Sequence, residues 1–119
     1  MENGKIYDIK KRTFYFSLDI IRFLKVLERE YTCQVIGKQL LRSATSIGAN
    51  IVEAQAAPSK KDFANFYNIA LKSANESKYW LLLLEQSNLC DKNKSCKLLD
   101  ELTEICNILG KSLLTMRGK

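Results

Sequence analysis

An all-α fold, an antiparallel up-down-up-down four-helix bundle, is predicted by three features of this sequence. Its 119 residues are one domain's worth of chain, read as a single unit over 1–119. Apolar residues recur at three- and four-residue steps along most of that length. Breaks are few, falling around Tyr31 to Gln34, at Ala57-Pro58-Ser59 and from Asn88 to Asn93. They leave four segments of roughly 20 to 30 residues, helices about 30 to 45 Å long. Short connections between long helices make neighbours antiparallel. The 46% hydrophobic content suffices for a core, since a chain of this size buries roughly two-thirds of its unfolded surface. One proline and five glycines exclude collagen-like, proline-rich and disordered readings.

The first helix is expected over about 13–31. Phe16, Ile20, Phe23, Leu24, Leu27 and Tyr31 form one apolar stripe, and Phe14, Leu18 and Ile21 form another on nearly the opposite side. Two apolar faces on one short helix predict a contact between subunits, in a closed ring or a dimer. The alternative is that this helix lies deep between its neighbours.

The second helix, about 34–57, has a core stripe of Leu40, Ala44, Ile47, Ile51 and Ala54. Arg42, Ser46, Asn50 and Glu53 fall in a narrow polar row on the other side. Gly48 sits mid-helix, at about 1 kcal/mol of cost relative to alanine, and predicts a close approach by a neighbouring backbone.

The third helix, about 60–89, starts most clearly. Ser59 follows Pro58 as an N-cap, and Asp62 stands three residues on as a weaker form of the capping box. Phe63, Phe66, Tyr67, Ala70, Ala74, Ser77, Leu81 and Leu84 share a face. Trp80 widens it on one flank, Leu71 and Leu82 on the other, so this helix too is expected to touch something besides its own bundle. Phe14, Leu18, Ile21 and Trp80 are therefore the candidate oligomer interface.

The fourth helix, about 94–116, carries one stripe of Leu98, Leu102, Ile105, Leu109, Leu113 and Met116. Asp100, Glu104, Asn107 and Lys111 face the other way, as on a helix with one wet side.

Charge and composition narrow the chemistry. Nineteen Lys+Arg against thirteen Asp+Glu gives +6, which favours polyanionic partners. No histidine occurs, which excludes a Ser-His-Asp triad, a Cys-His pair and a histidine-ligated zinc. Cys33, Cys90, Cys96 and Cys106 lack C-x-x-C spacing and read as free thiols, with Cys106 a small core residue. The N-terminal stretch has no apolar run like that of a signal peptide, and the longest such run, Tyr79 to Leu84, is too short to span a bilayer. A cytoplasmic protein without membrane, metal or cofactor is the expectation.

Two blocks of residues carry a family resemblance. Residues 39–54, QLLRSATSIGANIVEA, resemble the signature of the four helix bundle proteins, reading frames within intervening sequences of bacterial 23S rRNA genes. Ser59-Lys60-Lys61-Asp62-Phe63 and residues 70–81, ALKSANESKYWL, resemble its second signature, at matching spacing. The resemblance runs over about 14–114. It implies a four-helix protomer assembling into a homopentameric barrel. It further implies kinship with the basic accessory subunit of diversity-generating retroelements, which binds nucleic acid and a reverse transcriptase. It brings no catalytic activity. Serine at position 73, where the closest subgroup often has glutamate, departs from that pattern and removes an acidic partner for Glu76.

The polar row has two readings. Arg42, Ser46, Asn50 and Glu53 either bind a ligand, arginine gripping a phosphate through two hydrogen bonds, or link to Glu76 on the third helix and fix register. In the second case, as a buried pair, losing one partner would cost roughly 3 to 5 kcal/mol. Glu53 and Glu76 could also be imagined as paired acid-base carboxylates, but no nucleophile or metal-ligand set stands beside them.

Lys60 and Lys61 occupy a helix N-terminus, where the macrodipole disfavours cations, so either they serve an anion or they are a solvated pair offset by Asp62. Alternating helix direction gathers Lys10, Lys11, Arg12, Lys60, Lys61, Arg117 and Lys119 at one end of the bundle, and Lys92, Lys94 and Lys97 at the other. Repeated round a ring, the first end becomes a positive rim able to bind RNA or DNA through phosphates, without base readout. The expected function is thus a non-enzymatic homo-oligomeric scaffold that binds nucleic acid. The alternative is a protein-interaction adaptor that docks a partner enzyme such as a reverse transcriptase.

Overall fold

The computed structural model describes residues 8–117, which form four α-helices and no strand. These are α1 (Ile9–Lys25), α2 (Tyr31–Gln55), α3 (Lys60–Gln86) and α4 (Lys92–Arg117). Each packs on the next in sequence and α1 closes on α4, a cyclic arrangement of antiparallel neighbours.

Helix ends follow the capping groups. Asp8 accepts from the Lys11 amide at 2.9 Å, so α1 begins four residues before the expected position 13. It also ends at Lys25 rather than 31. Tyr31 therefore does not complete the first stripe: it opens α2 and is 81% exposed. The cap of α2 is Glu30, whose carboxylate takes the Cys33 amide. Ser59 caps α3 by accepting from the Asp62 amide, while its hydroxyl donates to the Asp62 carboxylate. At the other end of α3, Asn88 adopts φ 59° and the amides of Asn88 and Leu89 close on the carbonyls of Glu85 and Leu84. This is a Schellman ending, with asparagine in the left-handed conformation that most side chains avoid. Asp91 then caps α4 through the amides of Asn93 and Lys94.

The core is one cluster to which every helix contributes. Phe16, Ile20 and Phe23 of α1, the five residues Leu40, Ala44, Ile47, Ile51 and Ala54 of α2, and Leu102, Ile105 and Leu109 of α4 are all buried. The α2–α3 contact is the most extensive, and its residues are small. Ala44, Ala70 and Ala74 are fully buried, and the hydroxyls of Ser43 and Ser77 meet at 2.8 Å between them. Each buried hydroxyl thus has a partner, as the low dielectric demands. Gly48 marks the α1–α2 crossing: a Cβ there would lie 3.4 Å from Thr13 Oγ1 and 3.5 Å from the Thr13 carbonyl. The α1 and α2 backbones thus approach to a distance at which a Cβ at Gly48 would just be in van der Waals contact with Thr13.

Helix α1 does not lie deep between its neighbours. It packs on α2 and, more lightly, on α4, and its second apolar side stays outside: Phe14 is 60% and Ile21 39% exposed, with Leu18 half-buried. Trp80 is half-buried on α3, away from that trio.

The four cysteines are free. Burial pushes the thiols of Cys33, Cys90 and Cys106 and the Tyr67 phenol above their usual ranges. The fold favours their neutral forms, so folded pKa values lie above unfolded ones and stability falls as pH rises. Thermal melts are expected to move down between about pH 8.5 and 10, where free thiols and phenols ionise. Replacing Cys33 with serine or alanine should shrink that alkaline loss; a melting temperature constant to pH 10 would contradict it.

Candidate nucleic-acid interface

Three registers place the cations. Ser43 faces Ser77 and Ser46 faces Ser73 across α2 and α3; Ser95 meets Glu85 and Cys106 meets Asn75 across α3 and α4; Thr13 lies against Gly48 across α1 and α2. The start of α1, the end of α2, the start of α3 and the end of α4 consequently share one end. Lys10 and Lys11 lie in the first turn of α1, Lys60 and Lys61 in the first turn of α3, and Arg117 in the last turn of α4, all exposed. None of the five forms an ion pair with a described residue. Lys119 lies outside the described residues. At the other end Lys92, Lys94 and Lys97 are interspersed with Glu28, Glu30, Glu85 and Asp91. Asp8, Glu53 and Asp62 also stand at the first end, and Lys25 and Arg29 at the second, so the ends differ in which cations lie beside the starts of α1 and α3 rather than in a large difference of net charge.

Arg12 does not belong with the free cations. Its guanidinium grips Glu101 of α4 through two hydrogen bonds, Nε at 2.6 Å and Nη2 at 2.9 Å, with only 14% of the side chain exposed. The hydrogen bonds to that carboxylate hold the Arg12 charge still more firmly, raising its pKa. Arg12 is a tie between helices, unavailable to a phosphate.

Beside the free lysines a groove opens between α1 and α2. It encloses about 390 Å³, with Lys10, Lys11, Phe14 and Tyr15 contributed by α1 and Gly48, Ala49 and Val52 among the residues from α2. The rings of Phe14 and Tyr15 meet edge-on at 5.8 Å. Sequence patterning flagged Phe14 as surplus apolar surface but gave no sign of the groove, which depends on how α1 crosses α2 at Gly48.

In the polar row on α2, Arg42 and Ser46 reach α3, whereas Asn50 bonds back to Ser46 within α2. Arg42 is paired with Glu76, which also accepts from the Trp80 indole at 2.9 Å. The Ser46 hydroxyl meets that of Ser73 at 2.9 Å, and the Asn50 amide donates to the Ser46 carbonyl at 2.8 Å. Glu53 is exposed and has no side-chain partner among the described residues, so the row ends at Asn50. Arg42 is 60% and Glu76 36% exposed, so this is a wet pair rather than a buried one. Its loss should cost about 1 kcal/mol or less instead of the 3 to 5 of a buried pair. Glu53 and Glu76 do not form a carboxylate dyad: in the α2–α3 register they stand about ten residues, or roughly 15 Å, apart along the axis.

Among the described residues no group of His, Cys, Asp or Glu is arranged to hold a metal ion, and no helix is long and apolar enough to cross a membrane.

Comparison with known proteins gives a family without a characterised activity. The family model for the 23S rRNA-intervening sequence protein matches residues 5–111. A crystal structure from Bacteroides thetaiotaomicron, described as a protein of unknown function from the S23 ribosomal protein family, is 40% identical in sequence. The match covers 89% of this chain and 98% of that one, with a TM-score of 0.84. No curated protein matches significantly.

Proposed function

We infer a nucleic-acid-binding role for this chain, which belongs to the 23S rRNA-intervening sequence protein family. In this reading it is a non-enzymatic homo-oligomeric scaffold that holds RNA or DNA by its phosphates at the cationic end of the bundle. The observation that carries the reading is the set Lys10, Lys11, Lys60, Lys61 and Arg117. All are exposed at one end and have no carboxylate partner among the described residues, whose ion pairs engage other side chains. Cations left unpaired in the first turns of two helices, against the macrodipole, do nothing for stability. They suit a polyanion.

In this reading the subunit contact uses the outward side of α1 at Leu18 and Ile21, with exposed Leu41 of α2, while Phe14, on the same stripe and expected in that contact, borders the α1–α2 groove. A closed ring, the pentamer implied by the resemblance, would bring several cationic ends to one rim. Trp80, hydrogen-bonded to Glu76, would lie at the edge of a second contact.

Mobility shifts with RNA and DNA over a salt series test the role. Binding is expected at low salt, independent of sequence. With six or more phosphates neutralised across a ring, it should weaken by about a thousandfold or more between 50 and 200 mM salt. Replacing Lys60 and Lys61 with glutamate should flatten the slope. No binding at low salt, or binding indifferent to salt, refutes the role, and light scattering reads the assembly.

A second reading, an adaptor that docks a partner enzyme, draws on the exposed Tyr79 and Leu82 of α3, remote from the lysines. Substitutions there would abolish capture of such a partner and leave nucleic-acid binding intact.

A further inference from the structure

Exposed apolar surface at the cationic end does nothing for the stability of the bundle. Phe14 is 60% exposed and Val52 52%, and both border the α1–α2 groove of about 390 Å³ that has Lys10 and Lys11 at its margin. Among the described residues no carboxylate lines that groove. The absence of a side chain at Gly48 deepens it, down to the backbone of Thr13.

The two kinds of residue ask for different things. Lysines serve any polyanion. An exposed phenyl ring beside them serves only a ligand that also offers a flat apolar face. A duplex does not: its bases are stacked inside and its outer surface is phosphate and sugar. An unpaired nucleobase does, because every base has a π-face and its own phosphates lie within a few ångströms. Aromatic platforms set in positively charged grooves are how single strands are bound without regard to sequence.

We propose that the α1–α2 groove is a single-strand site, in which an unpaired base stacks on Phe14 while the flanking phosphates are held by Lys10 and Lys11. This rests on the nucleic-acid role inferred above and adds to it a preference for unpaired over paired strands. Val52 and Ala49 supply the apolar wall against which the outer edge of the base is desolvated. Phe14 lies about 6 and 10 Å along α1 from Leu18 and Ile21, and is assigned here to the groove rather than to the subunit contact.

The test is fluorescence anisotropy at 50 mM salt with a labelled 20-nucleotide oligouridylate, a mixed-sequence single strand and the duplex of that mixed sequence. Both single strands are expected to bind more tightly than the duplex. Phe14→Ala should weaken single-strand binding by about tenfold while duplex binding stays unchanged. Phe14→Trp should restore it, and Lys10→Glu with Lys11→Glu should weaken both forms. Phe14 is a surface residue, so a melt by circular dichroism should show these variants folded.

Equal affinity for single strand and duplex, or a Phe14→Ala variant with undiminished single-strand binding, overturns the site and leaves the phosphate-binding role standing. Loss of binding to every probe in the unmodified protein overturns both. A Phe14→Ala variant whose assembly state changes by light scattering while its single-strand affinity does not also overturns the site, and assigns Phe14 to a subunit contact.

Discussion

Phe16→Ala is expected to cost the bundle about 3 to 5 kcal/mol, a large part of the roughly 5 to 15 kcal/mol by which domains of this kind are stable. Phe16 is 1% exposed and belongs to the common core, next to Ile20 in the same helix. Helix α1 is the shortest of the four and the most lightly attached, and Phe16 is one of the two phenylalanines by which it enters the core, so its removal leaves a cavity. Urea unfolding should show the midpoint falling with the slope nearly unchanged. Phe14→Ala, two residues away, removes the same ring from the opposite side of the helix and should shift that midpoint by less than about 0.5 kcal/mol. The pair thus separates what one residue type does on two faces. If Phe14→Ala were as damaging as Phe16→Ala, the outward placement of Phe14 would be wrong, and the groove with it.

This contrast also marks how far the sequence could be read. The inward stripes were legible because period 3.6 alone assigns Phe16, Leu40, Leu81 and Leu102 to a buried side, and the observed core holds all four. Ser59 was legible because proline, serine and an acidic residue three positions on are a local signal that needs no tertiary context. The start of α1 and its end were not. Asp8 lies five residues before the first expected helical position, and Glu28, Arg29 and Glu30 have ordinary helix propensity, so nothing local announced the break after Lys25. Glu30 acts as a cap although glutamate is not a usual one.

Pairings between helices were legible only where one partner had few alternatives. Arg42 and Glu76 met as their faces suggested, but their exposure depends on how α2 and α3 are rotated, and so does the worth of the pair. Arg12 was the reverse case. It read as one of a run of terminal cations, because the carboxylate that claims it is 89 residues away and fixed by the tilt of α1 on α4. Candidate phosphate ligands are therefore best chosen after ion pairs have been removed from the list of cations.

Glu101→Ala carries the second large expectation. It would leave the Arg12 guanidinium in place, 14% exposed and without its carboxylate, in the least extensive helix contact of the bundle. A fully buried pair broken on one side costs about 3 to 5 kcal/mol; with Glu101 31% exposed, water can reach the orphaned charge, and about 2 to 3 kcal/mol is expected. Glu76→Ala, on the wetter pair, should cost about 1 kcal/mol or less. Arg12→Leu combined with Glu101→Leu should recover most of the loss, since replacing both charges by apolar groups leaves nothing unpaired. Arg12→Lys should not, because an ammonium cannot make the two parallel hydrogen bonds that the guanidinium makes. A double-mutant cycle in urea measures the coupling directly. A coupling near zero would return Arg12 to the cationic end as a free charge; the expected coupling keeps it as the strut that holds α1, and the groove lysines it carries, against α4.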